Sequence, residues 1–172
     1  MIIIITGASH TGKTYLAQRM LEKYHYPYLS IDHLKMGLIR SGCTGLTPEN
    51  DIALTDYLFP IVKELIKTAI ENKQNLIVEG CYIPFNWKCH FEKFYLKQIR
   101  FICLAMTDKY IEKNFDKIVK YESIIENRFI DTNCTIDKIK IDNKFYLDNF
   151  MKAGDCVTLI ESNYEKTIES LL

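Results

Sequence analysis

An eight-residue run near the amino terminus has the composition needed to hold a polyphosphate. It consists of Gly7, Ala8, Ser9, His10, Thr11, Gly12, Lys13 and Thr14 and matches the pattern G-x-x-x-x-G-K-[ST]. The glycines let backbone N–H groups converge on an anion without side chains that would block the turn. Lys13 can then reach the β- and γ-phosphates, and the Thr14 hydroxyl can ligate Mg²⁺. The run predicts binding of ATP with Mg²⁺, and a plain strand-to-helix turn is the alternative interpretation.

The elements around this run must be a strand before it and a helix after it. Apolar segments of strand length recur between longer helical patterns along the chain, which is typical of a parallel sheet. Five strands are predicted, at residues 2–6, 28–31, 76–79, 99–105 and 157–161. The chain is therefore predicted to have an α/β fold in which helices connect parallel strands.

Helical patterns fill the segments between the predicted strands. One begins at Lys13, inside the glycine-rich run. In a longer pattern, Thr47 is a plausible cap with Pro48 at the first helical position, and Pro60 is expected to kink or split the helix. Residues 107–130 form a charged amphipathic pattern with an apolar side.

The bulk composition restricts the possible classes of partner. Among 172 residues, Lys and Arg total 22 and Asp and Glu total 22, so the formal net charge is zero. We expect no nucleic-acid partner and no membrane partner, because a neutral chain has no general attraction to either. The length fits one domain. The six cysteines have no paired metal-ligand spacing, which argues against zinc and favours reduced thiols in a cytoplasmic protein.

Three motifs resemble those of the P-loop small-molecule kinases: the glycine-rich run, residues 30–34 (Ser-Ile-Asp-His-Leu) and residues 77–80 (Ile-Val-Glu-Gly). That group includes adenylate and shikimate kinases, chloramphenicol phosphotransferase, zeta toxins and the 2-phosphoglycerate kinase-like proteins. The resemblance implies transfer of the γ-phosphoryl group of ATP to a hydroxyl of a small molecule. We expect one kinase domain over residues 1–172, with a lid arm around residues 107–135.

Asp32 holds the position of an acidic residue that contacts the acceptor hydroxyl in several of these kinases. It follows the predicted second strand, and ligands of such sheets bind outside the carboxyl ends of the strands. Its carboxylate could orient the hydroxyl and accept its proton. The alternative interpretation is that Asp32 caps a helix that begins at His33, and the two roles are compatible.

The resemblance also assigns roles to Glu79 and Arg40. Glu79 ends the third strand and would hold a magnesium-bound water or a substrate hydroxyl, since a carboxylate near phosphates suits a divalent cation. A strand-end acid paired with a lysine is the alternative. Arg40 lies one or two turns after Asp32 and would bind an anionic acceptor, unless it is a solvated surface arginine. Residues 81–84 (Cys-Tyr-Ile-Pro) replace an arginine of adenylate kinases, which argues against a nucleoside monophosphate.

The chain contains four arginines: Arg19, Arg40, Arg100 and Arg128. A bidentate clamp on a phosphate must use one of them. The lid arm implied by the resemblance closes over ATP and excludes water. Arg128 lies in this arm and is the arginine that we expect to complete the catalytic set with Lys13 and Asp32. A solvated helix face is the alternative, because lysines replace most arginines of such lids.

Two other segments are candidates by position. Residues 162–164 (Ser-Asn-Tyr) follow the fifth strand, where such kinases commonly hold the adenine ring. Trp87 follows the third strand closely and could line the acceptor pocket. Its aromatic neighbours lie at helical spacing, which is more typical of a core.

Other classes of P-loop protein lack support in the sequence. A GTPase requires Asn-Lys-x-Asp, which does not occur, and an ABC-type ATPase requires a longer chain. A kinase acting on nucleic-acid ends and a nucleotide-binding regulatory protein or ATPase without a small acceptor remain as alternatives. The favoured prediction is a small-molecule kinase with a three-layer α/β fold. Its five-stranded parallel sheet should have the order 2-3-1-4-5, with helices on both faces.

Overall fold

A computed structural model of the chain describes residues 1–121 and 134–172. Five parallel strands form one sheet: β1 (Ile2–Gly7), β2 (Tyr28–Ser30), β3 (Leu76–Glu79), β4 (Ile99–Met106) and β5 (Val157–Ile160). Their order in the sheet is β2-β3-β1-β4-β5. The predicted strand order is confirmed, and each predicted strand agrees with the observed one to within one residue at its end.

Helices connect the strands and cover both faces of the sheet. The described part of the chain contains α1 (Lys13–Tyr24), α2 (Ile31–Arg40), α3 (Asp51–Glu71), α4 (Lys93–Leu96), α5 (Asp108–Tyr121), α6 (Ile136–Lys152) and α7 (Tyr164–Leu171). A short 3₁₀ helix covers Trp87–His90. None of these helices is both long enough and apolar enough to span a membrane.

The burial of the central strand β1 on both faces accounts for the three layers of the fold, which are helices, sheet and helices. Its four successive isoleucines are fully buried because both faces of the sheet are covered. Ile2 and Ile4 pack with residues of α3 and with Phe150 of α6. Ile3 and Ile5 pack on the opposite face, with α1 and with Ile168 of α7. Because side chains alternate along a strand, β1 contributes residues to two separate apolar clusters, one on each face of the sheet.

The strand register brings the candidate site together. Ile5 of β1 pairs with Glu79 of β3, and Glu79 pairs with Ser30 of β2. The carboxyl ends of these three strands therefore lie at one edge of the sheet, where ligands of such folds bind. The glycine-rich loop follows β1 and Asp32 follows β2, so both start from this edge.

The predicted start of the long helix is wrong. Helix α3 begins at Asp51, and the Asn50 side chain caps it by accepting a hydrogen bond from the Ala53 N–H at 3.2 Å. Thr47-Pro48 lies before the helix. Asn is as good a cap as Thr or better, and the later cap prevails here.

Pro60 does not split α3, which is continuous from Asp51 to Glu71. The proline ring removes one backbone donor and is normally costly inside a helix. Pro60 is exposed, whereas Leu58 and Val62 on either side of it are fully buried. Burial of the apolar side offsets the cost of the lost hydrogen bond.

Candidate functional site

Both glycines of the phosphate loop are required by backbone geometry and by space. Gly7 has a φ of 134° and Gly12 a φ of 82°. These backbone conformations are strained for any residue that carries a side chain. A Cβ atom at Gly7 would lie 2.1 Å from the Leu104 carbonyl oxygen of β4. One at Gly12 would lie 1.8 Å from the Tyr164 hydroxyl oxygen. The loop is therefore held between β4 and the start of α7.

Two side chains close the loop on the Ala8 carbonyl oxygen. The Thr11 hydroxyl donates to it at 2.8 Å, and the Lys13 ammonium donates to it at 2.8 Å. Lys13 is only 8% exposed, so its charge is concentrated at the loop and not in solvent. An ammonium in this position is suited to neutralise phosphate oxygens.

Thr14 and Glu79 come together from the start of α1 and the end of β3. The Thr14 hydroxyl donates to Glu79 Oε1 at 3.1 Å, and Glu79 is 1% exposed. Hydroxyl and carboxylate oxygens are the ligands that Mg²⁺ accepts beside phosphates. The oxygen donors here and the glycine-lined loop next to them fit Mg²⁺ and a polyphosphate.

Helix α2 begins earlier than predicted, and Asp32 is not its cap. The helix starts at Ile31, and the Ser30 hydroxyl accepts the hydrogen bond from the His33 N–H at 3.5 Å. Asp32 lies in the first turn, where the helix dipole favours a negative charge. Its carboxylate accepts a hydrogen bond from the Lys35 ammonium, with the two atoms 2.7 Å apart.

This ion pair belongs to a larger group, the Asp32 network, defined as Asp32, Lys35, Tyr82 and Asp51. The Lys35 ammonium also donates to the Tyr82 hydroxyl at 2.8 Å, and that hydroxyl donates to Asp51 Oδ1 at 3.2 Å. Lys35 is 9% exposed and Tyr82 3% exposed. Burial raises the pKa of Tyr82, helped by the charges of Cys81, Asp32 and Asp51. Tyr82 therefore keeps its proton and serves as a donor at neutral pH.

Helix α6 contacts the site at two points. Its Asp142 carboxylate accepts a hydrogen bond from the backbone N–H of Ser9, inside the phosphate loop, at 2.9 Å. The Tyr146 hydroxyl donates to the Cys81 carbonyl oxygen at 3.1 Å. Asn143 fixes the helix, because it is 1% exposed and accepts from the Met106 N–H at 2.7 Å.

The structure does not bring every predicted residue to this edge. Arg40 is exposed at the carboxyl end of α2, about 12 Å along the helix axis from Asp32. Arg19 pairs with Glu169 at 2.9 Å, and Arg100 donates to the Leu171 carbonyl oxygen at 2.6 Å. Arg128 lies outside the described residues, as does the lid arm over residues 122–133, so both stay predictions.

The two segments singled out by position have different outcomes. The Asn163 side chain caps α7, and Tyr164 packs against the phosphate loop, with its ring centroid 6.0 Å from that of Tyr15. Trp87 is 3% exposed and stacks on Phe101 at a centroid distance of 4.8 Å. Its indole N–H donates to Asp155 at 3.2 Å. Trp87 is therefore a core residue and does not line the site.

No family model and no curated protein matches the chain. Solved structures do match it over 99% of its length, each at 14% identity. A putative kinase from Chloroflexus aurantiacus J-10-fl has a TM-score of 0.57, with 95% of that chain covered. Deoxyadenosine kinase from M. mycoides has 0.54 and shikimate kinase from Bacteroides thetaiotaomicron 0.51, each with 96% covered. The chain has the fold of the P-loop small-molecule kinases, and the predicted resemblance is confirmed at that level.

Proposed function

We propose that the protein transfers the γ-phosphoryl group of Mg·ATP to a hydroxyl group of a small molecule. The observation that carries this proposal is the strand register. It aligns the carboxyl ends of β1, β3 and β2, so that the phosphate loop and the Asp32 segment begin at the same edge of the sheet. The fold shared with kinases of small molecules supports it. We also propose a single domain over residues 1–172 and a cytoplasmic location.

Each group at this edge has a role in the proposed reaction. Bound Mg·ATP supplies the phosphoryl group and a cation that neutralises its charge. The loop N–H groups and Lys13 hold the phosphates, and Thr14 and Glu79 would hold Mg²⁺. Asp32 orients the acceptor hydroxyl and accepts its proton. Lys35 fixes the Asp32 carboxylate through their 2.7 Å ion pair. Positioning and charge neutralisation are the main catalytic contributions.

The proposal is tested by ADP release from Mg·ATP in the presence of pools of small hydroxyl compounds. The wild type should release ADP only when an acceptor is present. Asp32→Asn should lower this rate about 10²- to 10⁴-fold with nucleotide binding retained, because it removes the proton acceptor. Lys13→Ala should lose most turnover because it removes charge at the phosphates. Asp56→Asn, an exposed position on α3, is the matched control and should behave as the wild type.

The alternatives give different results in the same assay. Acceptor-independent release, or no release, in both the wild type and Asp32→Asn would favour an ATPase or a nucleotide-binding regulator. Retention on single-stranded RNA with phosphorylation of its 5′ end would favour a kinase of nucleic-acid ends.

A further inference from the structure

Tyr164, the first residue of α7, lies against the phosphate loop although the two come from opposite ends of the chain. Resting on the phosphate binding proposed above, we propose that Tyr164 is a positioning residue for this loop. Its side chain holds Gly12 in the left-handed conformation that turns backbone N–H groups toward an anion. Tyr164 acts through the loop, so its effect does not depend on the base of the nucleotide.

The contact between Tyr164 and Gly12 is close enough to fix the loop. A Cβ atom at Gly12 would lie 1.8 Å from the Tyr164 hydroxyl oxygen and 2.9 Å from the ring carbon Cζ. Gly12 is the N-cap of α1 and, having no side chain, cannot fix itself by a capping hydrogen bond. A shift of Gly12 would move Lys13 and Thr14, the two side chains proposed to hold the phosphates and Mg²⁺.

The Tyr164 side chain is itself held by two apolar clusters. It packs against the cluster under α1, which includes Leu16, and against the cluster of α5 and α6, which includes Ile111. Its ring centroid lies 6.0 Å from that of Tyr15. Burial raises the pKa of Tyr164, so the group that touches Gly12 is a neutral hydroxyl at physiological pH. The ring is therefore wedged between two clusters, with its hydroxyl end against the loop.

Polar contacts fasten the rest of α7 to α1. The Arg19 guanidinium donates to Glu169 at 2.9 Å and to the Tyr15 hydroxyl at 3.1 Å. That hydroxyl donates in turn to Glu165, the residue after Tyr164, at 3.4 Å. Exposed pairs of this kind each contribute little to stability. The apolar clusters therefore carry most of the docking of Tyr164, and the polar contacts set its direction.

Residues 162–164 are also the segment expected to hold an adenine ring, and the two roles differ in the ligands that they affect. A contact with the base strengthens binding only of ligands that carry a base. A contact that positions the loop strengthens binding of the phosphates alone. Inorganic tripolyphosphate carries phosphates without a base and therefore separates the two roles.

The test measures the affinities of Mg·ATP and Mg·tripolyphosphate by isothermal titration. Tyr164→Leu should lower both by the same factor, about tenfold, because the loop is no longer held in its binding geometry. Tyr24→Leu is the matched control, since Tyr24 is a half-buried tyrosine of the same cluster under α1. It lies at the far end of that helix, about 16 Å along the axis from Lys13. It should leave both affinities unchanged.

A second variant tests the contact itself and does not depend on removing the ring. Gly12→Ala should weaken both ligands about 100-fold through strain and overpacking. Gly12→Ala combined with Tyr164→Phe should regain about fivefold, because loss of the hydroxyl oxygen removes the 1.8 Å contact while the backbone strain stays.

The outcomes separate this inference from the proposed function. Loss of ATP affinity alone in Tyr164→Leu, with tripolyphosphate unaffected, would overturn the inference and leave the kinase function standing. An equal loss in Tyr24→Leu, or no recovery in the double variant, would also overturn it. Binding of ATP but not of tripolyphosphate by the wild type would do the same, because the loop would then not hold phosphates by itself. A wild type that binds neither ligand would count against the proposed function, and the inference would fall with it.

Discussion

The phosphate loop and the Asp32 network lie at the same edge of the sheet but are built in opposite ways. The loop is eight consecutive residues that act through backbone N–H groups, one lysine and one hydroxyl. The network draws on α2, α3 and the segment after β3, and its Lys35–Tyr82 contact spans 47 residues of sequence. One region is encoded locally, whereas the other exists only after folding.

The proposed function accounts for this difference, because the two regions would recognise different ligands. A triphosphate is the same ligand in every protein that binds it, so a short motif with fixed backbone geometry suffices. An acceptor differs between proteins, and its site needs side chains from several elements around it. The predictions that follow test whether the two regions are energetically as separate as their construction indicates.

The largest effect is expected from filling the tight contact of the loop. Gly12→Ala places a methyl group 1.8 Å from the Tyr164 hydroxyl oxygen at a φ of 82°. Backbone strain of about 1–2 kcal/mol and overpacking of about 1–3 kcal/mol should together lower ATP affinity about 100-fold. Isothermal titration with ATP and Mg²⁺ measures this change.

Gly42→Ala is the matched control for Gly12→Ala. Gly42 has a φ of 74°, but a Cβ atom there would meet nothing within 4 Å. It should lower the free energy of unfolding by about 1 kcal/mol through strain alone, with ATP affinity unchanged. An equal loss of ATP affinity in both variants would show that the space beside Tyr164 is not what the loop requires.

A smaller effect, confined to the acceptor, is expected from Tyr82→Phe. The change removes the hydroxyl that links Lys35 to Asp51. We expect the free energy of acceptor binding to become less favourable by about 1–2 kcal/mol, which should raise the acceptor KM about tenfold. ATP affinity should stay the same, because no loop residue contacts this hydroxyl among the described hydrogen bonds. Steady-state kinetics with the acceptor and ATP varied separately measures both.

Tyr57→Phe is the control for Tyr82→Phe. Its hydroxyl donates to the Cys43 carbonyl oxygen at 3.2 Å and to no member of the Asp32 network among the described hydrogen bonds. The acceptor KM should be unchanged. If Tyr82→Phe weakened ATP and acceptor equally, the two regions would act as one unit.

The same contrast explains how much the sequence predicted. Strand positions followed from apolar runs such as the four isoleucines of β1, because a strand covered on both faces is apolar along its whole length. The strand order followed from the resemblance to the P-loop kinases. The phosphate loop followed from local spacing. Lys35 was missed although it lies three residues after Asp32, a helical spacing that brings side chains together. That signal was present but was not used.

Other members of the site had no local signal. Asp51 depends on where α3 begins, and the stronger cap at Asn50 moved this start away from Thr47. Tyr82 and Asp142 join the site through contacts that only the folded sheet creates. Arg40 lies at the exposed carboxyl end of α2, and its expected role at an anionic acceptor stays a prediction.

The smallest effect concerns Asp142, the contact that joins α6 to the phosphate loop. Its carboxylate accepts the Ser9 N–H at 2.9 Å, and bound phosphates would compete with it for this donor and be repelled by its charge. Asp142→Asn keeps an acceptor but removes the charge, so ATP affinity should rise about three- to fivefold, the difference between a charged and a neutral hydrogen bond. Asp148→Asn, at an exposed position of α6, should have no effect. Weaker ATP binding by Asp142→Asn would instead make this carboxylate part of the Mg²⁺ and phosphate site, and α6 would then belong to the phosphate region.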